Sequence, residues 1–305
     1  MASRLKIPLL RKRHINRVNE FGETGLFEAV KKGRLKTVQK LVKHGADINH
    51  RNYNGQTALH VAAVRGHIQI VDYFIRVGIS LESQDIVGNS PLAAPINYVS
   101  GWMDLQSFPL DLAQKHKAVI LRLIEAGAML DTMNNAGDSP LDVAIRCHGI
   151  LLNDYYIPTL LVKHGCDVTC KSKHKSKPSP FALACRPMLK SVKSRNTSVV
   201  TNLHYNPKFL LLLLEAGATP EPWLIQISTK HKEKLPQDLQ TLIDHLTHSS
   251  RNPPSLKQTC RLFLRKVLTP RLYNNIDRLP TTTDIKNYVK LNSSPLACNS
   301  IENKL

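Results

Sequence analysis

Three pairs of residues in the N-terminal half recur at one interval: Thr24 and Thr57, Gly33 and Gly66, and Gly45 and Gly78 each lie 33 residues apart. A period of that length constrains the architecture more than composition does, because a unit too small to bury its own apolar face must stack on copies of itself. The first two copies run TGLFEAVKKGRLKTVQKLVKHGADIN (24–49) and TALHVAAVRGHIQIVDYFIRVGISLE (57–82). Three more open at Ser90 (SPLAAP), Ser139 (SPLDVA) and Ser179 (SPFALA), and close on LIEAGAMLD, LVKHGCDVT and LLEAGATPE.

Each copy has a physical logic. Thr or Ser caps a first helix, Pro91, Pro140 and Pro180 take the first helical position where a missing N–H costs nothing, and small Ala residues let neighbouring helices approach. A Gly makes the turn, and an apolar-periodic second helix follows (Val38, Leu41, Val42; Ile70, Val71, Phe74). Gly45 or its equivalent ends that helix in the left-handed conformation. The pattern resembles the ankyrin repeat over residues 21–221, with the family signature T-P-L-H closest in Thr57-Ala58-Leu59-His60.

The departures from strict period fall on one side. From the last Gly of one copy to the Ser or Thr of the next the spacing is 12 residues three times (45 to 57, 78 to 90, 127 to 139) and then 14 (165 to 179). Within a copy, from Ser or Thr to that Gly, it grows from 21 and 21 to 37, 26 and 38. The extra length therefore sits between the two helices of repeats three, four and five. We read 96–109 and 186–207 as loops or helix extensions along one edge, a candidate rim for a partner.

Charge and cysteine usage narrow the class. Forty-two Lys and Arg against 23 Asp and Glu leave 42 − 23 = +19, which favours acidic partners. The apolar run IPLL before RKR is too short for a signal peptide and no window is long enough to span a membrane, so the expectation is a soluble protein of the cytoplasm or nucleus with no membrane partner. Cysteines 147, 166, 170, 185, 260 and 298 form no disulfide framework and read as free thiols.

No motif carries catalysis. His164, Cys166, Cys170 and His174 suggest zinc, but His164 and Cys166 occupy the repeat positions held elsewhere by His44 and Ala46, so neither metal nor cofactor is expected. The clusters KSKHKSK (171–177) and RKR (11–13) have no interleaved aromatic residues to stack bases, which disfavours nucleic acid. With no phosphate-cradling loop, paired carboxylates or nucleophile elbow, the reading is a non-enzyme.

After Pro220 the repeat stops. WLIQISTKHKEKLPQDLQTLIDHLTHSS (223–250) reads as a closing helical cap, and Pro253-Pro254 breaks the chain before Ser255-Leu-Lys-Gln258, a capping-box pattern. In the helix that follows, Leu256, Cys260, Phe263, Leu264, Val267 and Leu268 share one face while Lys257, Arg261, Arg265 and Lys266 point elsewhere. IDRLPTTTDIKNYVKL then supplies an extended turn at Leu279-Pro280 and a short last helix.

These two pieces resemble the SOCS box. Ser255, Leu256, Cys260 and Leu264 match its first half in order, and Ile276, Leu279, Pro280, Ile285 and Tyr288 its second. Val289 is a mild substitution, whereas Thr281 and Thr282 depart from the family's apolar residue and Pro. Nearly the whole chain thus resembles the ankyrin repeat and SOCS box family, which implies an all-α fold: a basic tail (1–20), about five ankyrin repeats as a solenoid (21–221), a capping segment and linker (222–252), a small helical box (253–291) and a final tail (292–305). The resemblance implies a substrate-recognition adaptor of a ubiquitin ligase. Ser255, Leu256, Cys260 and Leu264 would bind elongin C, with elongin B attached. Ile276, Leu279, Pro280, Ile285 and Tyr288 would bind cullin-5, and the repeats would hold a protein target. The rival reading is a plain ankyrin scaffold for an acidic protein or nucleic acid.

Overall fold

The computed structural model describes residues 14–98, 109–147, 154–169, 177–186, 206–220, 256–268 and 272–291, with isolated helical positions at 237, 240, 241 and 244. Among these residues the chain is helical, and the only extended pairing is a bridge between Val18 and Thr24. It divides into two compact units, residues 1–98 with 106–129, and residues 99–105 with 130–305.

The first unit holds three helix pairs: α1 (Gly25–Lys31) and α2 (Leu35–Lys43), α3 (Ala58–Val64) and α4 (Ile68–Val77), α5 (Ala93–Tyr98) and α6 (Leu110–Glu125). Of the apolar residues that periodicity picked in the second helices, Val38, Ile70, Val71 and Phe74 are buried and Leu41 and Val42 half-buried; Leu26, Phe27 and Leu59 of the first helices are buried as well. Pro91 precedes the third pair's first helix, which begins only at Ala93, a boundary shift of the size helix ends commonly have. Part of the extra length of repeat three is helix, since α6 has 16 residues against 10 in α4. The remainder, 99–108, lies outside the described residues, as does most of the insertion at 186–207.

Buried polar groups tie one repeat to the next. The Thr57 N–H donates to His60 Nδ1 at 3.1 Å, which leaves the His60 Nε2 proton for the Asn89 carbonyl, also at 3.1 Å. Burial keeps this ring below its ordinary pKa and so neutral, as an imidazole that both accepts and donates must be. At the hairpins, Asn19, Asn52 and Asp85 each accept two backbone N–H groups on one side-chain oxygen, so the turns close on their own polar chemistry. Successive hairpins join where the Tyr53 N–H meets the Phe21 carbonyl at 3.1 Å and the Ile86 N–H meets the Asn54 carbonyl at 3.0 Å. Gly22 permits that approach: its φ is +72°, and a Cβ there would lie 2.6 Å from the Tyr53 ring.

The second unit contains α7 (Pro140–Ala144), α8 (Tyr156–Lys163), α9 (Pro180–Ala184) and α10 (Pro207–Glu215) from repeats four and five, followed by α11 (Leu256–Leu268), α12 (Leu272–Asp277) and α13 (Thr283–Lys290). Pro140 and Pro180 occupy the first helical position, and Ser139 and Ser179 cap by accepting the N–H of Asp142 at 3.2 Å and of Ala182 at 3.1 Å. Across both units the glycines that follow the second helices, Gly45, Gly78, Gly127, Gly165 and Gly217, have φ between 79° and 101°, the left-handed stop read from their spacing. The expected cap at 222–252 lies outside the described residues apart from the four isolated helical positions.

Candidate functional site

The last three helices pack on one another around a very small core. Ile276 and Val289 are buried, and Leu264 and Leu268 of α11 pack against them. Polar contacts close the module: Asn275 Nδ2 donates to the Leu268 carbonyl at 2.8 Å, Lys286 Nζ to the Asp277 carbonyl at 3.0 Å, and Lys290 pairs with the Asp277 carboxylate at 2.6 Å. The turn between α12 and α13 is held by the Leu279 N–H on the Ile276 carbonyl and the Thr281 N–H on the Leu279 carbonyl, at 3.0 and 2.8 Å. Thr282, which replaces a Pro of the family pattern, is the N-cap of α13, a position where Thr is a favoured residue.

Helix α11 corrects the expected face. Of its apolar set, Leu264 and Leu268 turn inward, whereas Cys260, Phe263 and Val267 are exposed, the last two at 65% and 60%. In their place Arg261 and Arg265 are buried, at 4% and 6% exposure. The reason lies in the ends of other helices, whose last carbonyls have no intrahelical donor and carry the negative end of the helix dipole. Arg261 Nη2 donates to the Glu215 carbonyl at the end of α10 at 2.9 Å, and its guanidinium lies 4.7 Å above the centre of the Tyr288 ring. Arg265 donates through Nη1 to the Val289 carbonyl near the end of α13 at 2.8 Å and through Nη2 to the Val162 carbonyl near the end of α8. A polar-out rule misses this, because it treats water as the only place for a guanidinium. The available signal is a pair of arginines one turn apart on a helix with no acidic residue in its first turn.

The sequence-selected residues thus divide by environment. Ser255 lies outside the described residues, and Leu256 is described only as a helical position, four residues before Cys260 on the same line as Phe263 and Val267. Cys260 is an exposed free thiol, unlike the buried Cys147, Cys166 and Cys185. Ile276 belongs to the core of the box, and Tyr288 is half-buried under Arg261. Leu279 is half-buried, while Pro280 and Ile285 are exposed, Ile285 at 48%. Two surfaces result: an outward stripe on α11, and a patch at the α12–α13 turn and the start of α13.

Arginine also acts on His164, which follows α8. Its pKa is lowered to about 4, first by burial and then by Lys290, Arg265 and Lys163. The unfolded chain takes up this proton below about pH 6.5, whereas the folded chain refuses it until about 4. Stability is therefore full above 6.5 and falls as pH drops through that window. For a half-buried ring screened by solvent the loss is about 1–2 kcal/mol. His60 and His116, also held low by burial, add in the same direction. Urea midpoints between pH 7 and 4.5 should fall in the wild type and fall less in His164→Gln; equal slopes would refute this assignment.

A family model for ankyrin repeats matches residues 26–75, and one for the SOCS box matches residues 252–290. No curated protein matches the chain. The repeat region and the three-helix module together define an all-α ankyrin-repeat solenoid followed by a SOCS box. The chain is an ankyrin-repeat and SOCS box protein. That pairing supports a substrate-adaptor role in a ubiquitin ligase, and the SOCS box implies elongin B/C and a cullin as partners.

Proposed function

We propose that the chain is the substrate-recognition adaptor of an elongin B/C–cullin-5 RING ubiquitin ligase, binding a protein target through its repeats so that the target is ubiquitinated and degraded. The observation that carries this reading is the outward stripe of α11. Had Cys260, Phe263 and Val267 packed against the repeats, the helix would be a mere cap; instead they face solvent on the line that begins at Leu256. An exposed apolar line on a helix suits a groove in a partner, with Leu256 as the inserted anchor and the small Cys260 allowing close approach one turn later. Leu279, Pro280 and Ile285 form the adjoining patch for cullin-5, with Ile276 supporting the turn from inside and Tyr288 held under Arg261.

The chain performs no bond chemistry in this scheme. Its contribution is effective concentration, because a target held on the repeats meets the charged conjugating enzyme as if tethered to it. The target surface we favour is the row of hairpin tips in the first unit, where Phe21, Tyr53 and Ile86 are exposed although the turns beneath them need no apolar residue. Purification of the tagged wild-type chain from cells should recover elongins B and C, and cullin-5 through them. Recovery of neither elongin would end the adaptor reading.

The scaffold alternative has one observation in its favour: α2 presents exposed Lys36, Lys40 and Lys43 along one side. If anion binding were the function, capture of an acidic protein or nucleic acid would fall steeply with added salt and persist without elongins.

A further inference from the structure

We infer that Arg261 and Arg265 are positioning residues that clamp the SOCS box to repeats four and five, fixing the direction in which the outward stripe of α11 points. The purpose of the clamp rests on the adaptor reading; its mechanism rests on geometry alone. Arg265 joins a repeat to the box through one guanidinium, with one terminal nitrogen on Val162 at the end of α8 and the other on Val289 at the end of α13. One turn earlier Arg261 does the same by other means, donating to Glu215 at the end of α10 while its cation lies over Tyr288 of α13. Leu262, between them, lies against Gly217, where a Cβ would come within 3.0 Å of its Cδ2. The second helices of two successive repeats are therefore engaged at their carboxyl ends by one face of one helix.

This is an expensive way to pack a helix. Two guanidiniums lose their hydration, and Arg261 Nε is buried with no hydrogen-bond partner among the described residues. Apolar side chains of similar length would fill the space without that desolvation. What a fixed fork of donors adds is direction, because it must meet two carbonyls at once, and a lysine ammonium presents a single nitrogen instead. A box held this way keeps repeats four and five at one offset from the ligase core instead of letting them swing on a linker, and transfer depends on such positioning.

The test measures direction in the full-length chain without partners. Spin labels on unnatural side chains at exposed Lys208 of α10 and Asp284 of α13 leave the native thiols untouched. The wild type should give one narrow distance distribution. R261M/R265M should lose that narrow peak, and R265K should lose it too, because its single nitrogen cannot bridge Val162 and Val289. Narrow, wild-type distributions in both variants would overturn the proposal, as would a lowered melting temperature with an unchanged distance, which is the mark of a merely structural role. If the double variant does not fold, R265K decides. Elongin capture by the wild type is read separately, so its failure removes the adaptor reading and leaves the distance result standing.

Discussion

A chain carrying Leu256→Ala and Cys260→Ala should bind elongin C at least tenfold more weakly than the wild type while remaining folded. Burying a leucine in a partner's groove is worth roughly 1.5–3 kcal/mol, and each 1.4 kcal/mol is a factor of ten in affinity, so Leu256 alone accounts for that loss. Alanine is the best helix former, so α11 keeps its backbone, and Cys260 is already exposed, so shortening it leaves no hole in the free protein. Titration of purified elongin B/C against both proteins, with circular dichroism to confirm equal helix content, gives the answer. Affinity within twofold of the wild type would mean that the α11 stripe is not the docking line. Phe263→Ala and Val267→Ala lie on the same line and should weaken binding further, whereas removal of inward-facing Leu264 would act through the fold.

The second large effect is expected at Ile276→Ala. Truncating a fully buried Ile to Ala costs about 2–5 kcal/mol, and among the described residues the core it leaves consists of Val289 with Leu264 and Leu268 packed against it. A module that small has no reserve against such a loss. The box should lose its native packing while the first unit, with its own core and its His60–Asn89 link, stays intact. Hydrogen exchange on the full chain should show α11 and α13 amides losing protection with α3 and α4 unchanged, and elongin capture should fall in parallel. Preserved protection in α13 would contradict this account of the core. The same experiment separates a supporting role for Ile276 from a direct one at a cullin surface, because a direct contact would be lost without any change in exchange.

Much of this fold was legible because repetition amplifies weak signals. A single Gly could mean many things, but Gly45, Gly78, Gly127, Gly165 and Gly217 in phase could mean only a recurrent left-handed stop, and each has that conformation. Likewise Ser139-Pro140 and Ser179-Pro180 read as helix starts because cap and first-turn chemistry act within four residues. The inside of α11 was not legible for the opposite reason. What places Arg265 indoors is a carbonyl at Val162, more than a hundred residues away in sequence, and no local period encodes a donor's distant acceptor. Leu264, read from the sequence as an elongin contact, packs inward against Ile276 and Val289, and the exposure of Cys260, Phe263 and Val267 on the same helix likewise follows from where the distant carbonyls draw the arginines.

That exposure has a consequence for the life of the protein in a cell. An adaptor without its elongin carries an uncovered oily strip, the kind of surface that chaperones and quality-control ligases detect. Binding to a partner stabilises by mass action, so the amount of adaptor that persists would follow the supply of free elongin rather than its own rate of synthesis. Surplus copies would be cleared, and the stoichiometry of the assembly would be set by α11 itself, without a separate regulator.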